Sequence, residues 1–262
     1  MNKFSLLISL LLVFAAVFSE PASSNAVEKS GDVYKALKKI NSRRDFDQWL
    51  LMYFEHPQPE LTAQALLFSE KKGDFDNKEQ EPVLFAIASR QFAQNPEKIS
   101  AWLEELAGLK LAHKVLIWKA LWSADTDDAR AAANKLAQQF PESNRPQELT
   151  ASSKKTTPII SMELNPGVLE MLWTSYFITG NSNYVARICE ALPVLAKDKP
   201  DVNRIVTAGA AQWSLVDNGK KYGKIVDICQ QTKVNKPELT LQIDKVLEAV
   251  KKPDVEPNDR EK

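Results

Sequence analysis

The sequence predicts an all-α protein, made of stacked antiparallel helical hairpins in an α-solenoid-like array or an irregular helical bundle. Three observations carry that expectation. Glycine is scarce, 8 of 262 residues. Few segments alternate apolar and polar residues as a half-buried strand would. Several segments instead repeat apolar residues at i, i+3, i+4 and i+7, the stripe of an amphipathic helix.

The chain opens MNKFSLLISLLLVFAAVFSE, and residues 1–26 read as a secretory signal peptide. Lys3 supplies the positive start, Phe4 to Phe18 is unbroken apolar or small, and Ser19 and Ser24-Asn25-Ala26 offer cleavage positions. A bilayer-crossing helix needs roughly 20 apolar residues, and this run is shorter. An uncleaved signal anchor is the alternative. No cysteine near the cleavage region offers a lipid anchor, and no second segment is apolar enough to span a membrane. The expected location is therefore the bacterial periplasm or the medium. Lysine plus arginine total 34, as do aspartate plus glutamate. A chain that neutralises phosphates shows a clustered positive excess, so nucleic acid is not the expected partner.

Residues 27–140 form an N-terminal helical region. Asp32 to Ile40 and Asp45 to Phe54 read as short amphipathic helices. Glu60 to Ser69 reads as a third, closed by Lys71-Lys72-Gly73-Asp74. An apolar helix starts at Pro82-Val83-Leu84 and stops near Gln94-Asn95-Pro96, where Asn95 would cap the next helix and Pro96 would open it. That helix buries Ile99, Trp102, Leu103 and Leu106. His113 to Trp122 is apolar on most of its circumference. Asp125 or Thr126 then caps a helix whose Ala129, Ala132, Ala133, Leu136, Ala137 and Phe140 share one face, with Asp127 and Asp128 favoured by the helix dipole. The small residues imply a close helix–helix approach.

Residues 141–166 have the composition of a polar linker or loop. Residues 167–250 form C-terminal helical hairpins. Val168 to Ile178 is apolar nearly all round, with a thin polar strip at Glu170 and Thr174, and Thr179-Gly180-Asn181 ends it. Tyr184, Val185, Ile188, Cys189 and Leu192 then share an apolar face, with Arg187 and Glu190 opposite. A helix over Val202 to Val216 breaks at Asp217-Asn218-Gly219, and Tyr222, Ile225, Val226 and Cys229 resume it. A last helix spans Glu238 to Val250, followed by a charged, disordered tail over 251–262. Apolar helices thus open four times on a similar pair: Val83-Leu84, Val115-Leu116, Val168-Leu169 and Ile205-Val206. Hairpins that cannot bury their faces alone stack on their neighbours, which describes a degenerate solenoid.

Tyr176, Gly180 and Ala191-Leu192 resemble tetratricopeptide repeats, in which an aromatic helix, a Gly-Asn turn and a small-residue helix recur. Gly180 to Leu192 is one residue short of that pattern. Trp173, Phe177, Thr179-Gly180, Tyr184-Val185 and Arg187-Ile188, with Ala211-Gln212-Trp213-Ser214-Leu215 and Asn218, are more closely similar to uncharacterised exported helical proteins of proteobacteria. The resemblance covers about residues 168–229, and it implies a helical-hairpin fold and no activity.

The chain has two histidines, His56 and His113, and two cysteines. No zinc-ligand spacing, nucleophile elbow or glycine-rich phosphate loop occurs, so no metal and no cofactor are expected. The acidic stretch Gly73 to Glu81 lacks the ligand alternation of a calcium loop and reads as a solvated connection. Carboxylate pairs of the glycosidase kind are not legible in a helical sequence. In an oxidising compartment two cysteines make one bridge. Cys189 and Cys229 sit on return helices of consecutive units, so a disulfide between them is one expectation and two buried thiols the other. Helix axes lie 8–10 Å apart while bridged Cα atoms sit nearer 5–6 Å, so the bridge needs a small neighbour such as Gly223. Of six tryptophans, Trp122 and Trp213, near helix ends, are candidate partner-binding residues, as are Tyr184 and Arg187 at the edge of the stack; the others read as core. The leading functional expectation is an exported helical repeat-like scaffold that binds a protein or peptide partner without catalysis. The alternatives are an envelope-polymer hydrolase using unrecognised carboxylates and a purely structural envelope protein.

Overall fold

The computed structural model describes residues 36–140, 157–193 and 202–253. The expected signal peptide over 1–26, residues 141–156 of the expected linker and residues 254–262 of the expected tail lie outside them. Among the described residues every regular element is helical: α1 (Arg43–Met52), α2 (Thr62–Lys72), α3 (Glu81–Gln94), α4 (Ile99–Glu105), α5 (Leu111–Ala124), α6 (Asp127–Ala137), α7 (Pro166–Thr179), α8 (Ser182–Cys189), α9 (Val202–Lys221), α10 (Gly223–Asn235) and α11 (Thr240–Lys251), with short 3-10 turns between them. The all-α class is thereby established. No described helix is long and apolar enough to cross a membrane.

Local chemistry sets many of the helix ends. Ser42 and Asp45 form a reciprocal capping box at α1. Thr126 accepts from the Ala129 amide at α6, and Asn165 from the Val168 amide ahead of Pro166. Gly73 and Gly180 close α2 and α7 with φ of 82° and 66°, the left-handed region where a Cβ is disfavoured. Asp125 closes α5 the same way at φ 57°, so Thr126 and not Asp125 is the cap.

Other expectations are corrected. Residues 36–40, within the helix expected over Asp32 to Ile40, are not helical. Asn95 does not cap α4: its amide turns back to Gln91, and Pro96–Lys98 is a 3-10 turn. The break expected at Asp217-Asn218-Gly219 does not occur, and α9 runs on to Lys221. Gly219 serves packing instead, since a Cβ there would sit 2.8 Å from Val250 Cγ2 on α11. The linker's end is packed rather than loose: Ile159 is buried in the 3-10 turn Ile159–Ser161. The fourth of the repeating starts differs from the first three, because Ile205 is 47% exposed.

Helices α5, α3, α7 and α9 form one layer, and the neighbouring pairs are α5–α3, α3–α7 and α7–α9. All run the same way. His113 at the start of α5 meets Asp76 just ahead of α3. Gly167 at the start of α7 meets Pro82 at the start of α3. Trp173 Nε1 donates to Ser214 Oγ at 3.0 Å, and Phe177 meets the Tyr222 ring further along. Spatial order thus departs from chain order: α7 packs on α3, the helix that also carries α5. Helices α6, α8 and α10 fold back on α5, α7 and α9. Trp49, Trp102, Trp118 and Trp173 are buried in the core.

Gly180→Ala combines a disfavoured φ with a Cβ 2.9 Å from Phe54 Cδ2, and is expected to destabilise by about 2–3 kcal/mol. Gly209→Ala, mid-helix with nothing near the new methyl, is expected to stabilise by about 0.5–1 kcal/mol. Urea titration of both variants checks the pair, and equal effects would contradict the assigned role of Gly180.

Candidate functional site

The return helices of consecutive hairpins meet in two places, and the chemistry differs between them. Between α4 and α6 lies an apolar groove of about 570 Å³. Helix α4 has seven residues and is extended by 3-10 turns at Pro96–Lys98 and Leu106–Gly108. Ile99, Leu109, Ile117 and Leu136 form a buried floor. Leu103 and Ala132 stand above it, half-buried. Glu97, Glu104 and Asp128 supply anionic rim positions, and Lys114 and Lys135 cationic ones.

Between α8 and α10 the lining is polar. This cleft, about 540 Å³, is bordered by Ile160 and Ser161 of the 3-10 turn, Arg187 and Glu190, and Thr232 and Lys236. Glu190 accepts from both Arg187 and Lys236, and Arg187 also donates to the Met162 carbonyl at 3.2 Å. Burial would raise the Glu190 carboxyl, but the hydrogen bonds from Lys236 and Arg187 outweigh it and hold the group below the usual carboxylate range. Beside it Cys189 and Cys229 are both buried thiols, with sulfurs 4.0 Å apart. Gly223 plays no part in that approach, because a Cβ added there meets nothing within 4 Å.

The four candidate partner residues are dispersed. Trp122 is half-buried and stacks on Trp118 with centroids 5.9 Å apart. Trp213 is half-buried on α9. Tyr184 is buried, and its hydroxyl accepts from Arg90 at 3.1 Å. Arg187 belongs to the polar cleft. None of them lines the apolar groove. Its residues were visible in the sequence as a helical stripe with an alanine-rich neighbour, but a stripe does not say how the helices around it meet in space.

The acidic stretch after Gly73 is not simply solvated. Asp74 is buried and takes both its oxygens to Arg43, at 2.7 and 2.8 Å. Asp76 meets His113 Nε2 at 3.0 Å. No group of three or more metal-ligating side chains occurs among the described residues. Glu170 on α7 stands apart: burial raises its carboxyl from 4.5 to about 7.

The two carboxyls predict opposite pH behaviour. Glu190 is depressed in the fold, so its contribution is full above its unfolded pKa and is lost as pH falls through and below about 4.3. Glu190→Gln is expected to cost about 0.5–1 kcal/mol at pH 7, a modest value because the ions are partly exposed, and progressively less as pH falls below about 4.3. Glu170 is raised, so the native state binds its proton more tightly and stability falls as pH rises from about 4.5 to about 7. Glu170→Gln is expected to match the parent at pH 4 and exceed it by about 1–3 kcal/mol at pH 8. Denaturant titrations at these pH values check both.

Comparison with known proteins finds no family model that matches the chain, no similar curated protein and no similar solved structure. The functional reading rests on the geometry above.

Proposed function

We propose that this is an exported all-helical scaffold that binds an apolar-faced segment of a partner protein in the groove between α4 and α6, with no catalysis of its own. The observation that carries the reading is the contrast between two equivalent places. One ion pair, Glu190–Lys236, crosses the α8–α10 interface, whereas at α4–α6 half-buried Leu103 and Ala132 stand over an aliphatic floor between charged rims. A floor of aliphatic side chains with mixed charge at its edges suits an amphipathic helix laid along it, its apolar anchors inside and its polar face outward. Export is supported by the Lys3 start, the apolar run Phe4 to Phe18 and the small residues after it.

The hydrolase alternative needs two convergent carboxyls whose environments push their pKa values apart. Among the described residues Glu170 is the one carboxyl raised toward neutrality, and burial is its sole cause. It lines neither the groove nor the polar cleft.

A photo-crosslinking side chain at Ala132 is expected to capture a discrete protein partner from the exported fraction, and the same group at Gln212 on α9 to capture none. Ala132→Glu is expected to weaken that binding by about tenfold or more, by placing an unpaired charge on an apolar contact, while Trp213→Ala leaves it unchanged. Equal capture from both positions, or degradation of envelope polymer by the pure protein, would overturn the reading. The mature protein is expected to begin after Ser19 or Ala26. An intact mass that retains residues 1–26 would sink the export assignment alone.

A further inference from the structure

The paired thiols of α8 and α10 support a covalent role. Cys189 and Cys229 are 0% and 1% exposed, on two return helices that run the same way, with sulfurs 4.0 Å apart. A second contact joins the same two elements: Glu190, the residue after Cys189, accepts from Lys236, the residue that ends α10. A disulfide needs them about 2 Å closer, near 2.05 Å. Helix α8 is a short element of eight residues.

We propose that Cys189 and Cys229 form a disulfide that staples α8 to α10, made by exchange with a disulfide-bearing oxidant as the chain folds. The expectation that such an oxidant is met in the cell rests on the exported location; the geometry does not. The two sulfurs lie within hydrogen-bonding reach, and either can be the donor. The thiolate of one cysteine attacks one sulfur of the oxidant R–S–S–R, forming a mixed disulfide and releasing one thiolate. The other cysteine then attacks the protein sulfur of that mixed disulfide, its proton leaving to the released thiolate, and displaces the second. Two protein thiols become one bridge, and the oxidant leaves as two R–SH. Because both sulfurs are buried, exchange occurs before α8 and α10 dock or when they part. Folded, reduced protein should oxidise slowly.

The test refolds purified protein in a mixture of oxidised and reduced glutathione. The expected product has lost two hydrogens, offers no alkylatable thiol after denaturation, and yields one peptide pair joined through Cys189 and Cys229. Its Tm should exceed that of the reduced form by about 5–10 °C, as closing a loop of this length raises stability in a protein of this size. Cys189→Ala and Cys229→Ala should fold and melt like the reduced parent, with no response to oxidant. Two alkylatable thiols after refolding, or a Tm indifferent to oxidation, would overturn the staple. A bridge that forms with glutathione but is absent from protein isolated from its own cells would leave the staple standing and overturn the exported location.

Discussion

Trp173, Tyr176 and Phe177 of α7 are each exposed by 2% or less, and a helix so apolar has to be covered on every side. The covering comes from four directions: α1, α3, α8 and α9 all pack on it. The three rings form a continuous cluster, with centroids 5.5–6.3 Å apart, extended by Phe54 on one side and Tyr222 on the other. Such tilted and edge contacts add to the burial of large rings. At the C-terminal end of α7, the Phe54 amide donates to the Phe177 carbonyl at 3.1 Å, and Gly180 leaves room for the Phe54 ring. One helix therefore joins the N-terminal helices to the C-terminal hairpins, and the departure from chain order follows. On α3, Ala86, Ala88 and Ser89 are fully buried.

What the sequence made legible was periodic or local. The apolar stripes gave the helices, the cap at Thr126 gave one start, and Gly180 gave a stop; the start at Asn165, within the expected linker, was not read. All of these depend on residues within one turn of each other. Misreadings arose where a distant partner decides. Asn218-Gly219 has the composition of a break, yet α11 approaches there and needs a missing side chain, so glycine serves contact rather than termination. Asp74 looks solvated in a polar run, yet Arg43, thirty-one residues earlier, removes it from water. Tyr184 looks like an edge aromatic, yet Arg90 of α3 reaches its hydroxyl.

The same distinction governs the candidate sites. The facing of Cys189 and Cys229 was legible because consecutive return helices put equivalent positions side by side. The groove was not. It depends on how α4, α5 and α6 meet in space, which the periodicity of each helix alone does not state. Nor could the sequence separate a buried carboxyl from an exposed one on α7, since Glu170 and Thr174 make the same polar strip on paper. In the fold Thr174 is buried, and Glu170 is left where its charge is costly.

The two interfaces between return helices are best understood as alternatives for the same geometric problem. Two helices that run the same way, each carried by a neighbour in a parallel layer, stand apart by whatever distance the layer sets. If their facing side chains are long and oppositely charged, as Glu190 and Lys236 are, the gap is bridged. Where the facing residues are small, as Ala132 is, no such pair spans the gap and the floor beneath it is aliphatic. The floor itself is buried, so what a partner would cover is the half-buried surface of Leu103 and Ala132 above it, at about 25 cal/mol for each Å². The cleft between α8 and α10 is of similar size but is crossed by the Glu190–Lys236 pair, and that difference in lining, not in volume, is the ground of the proposal.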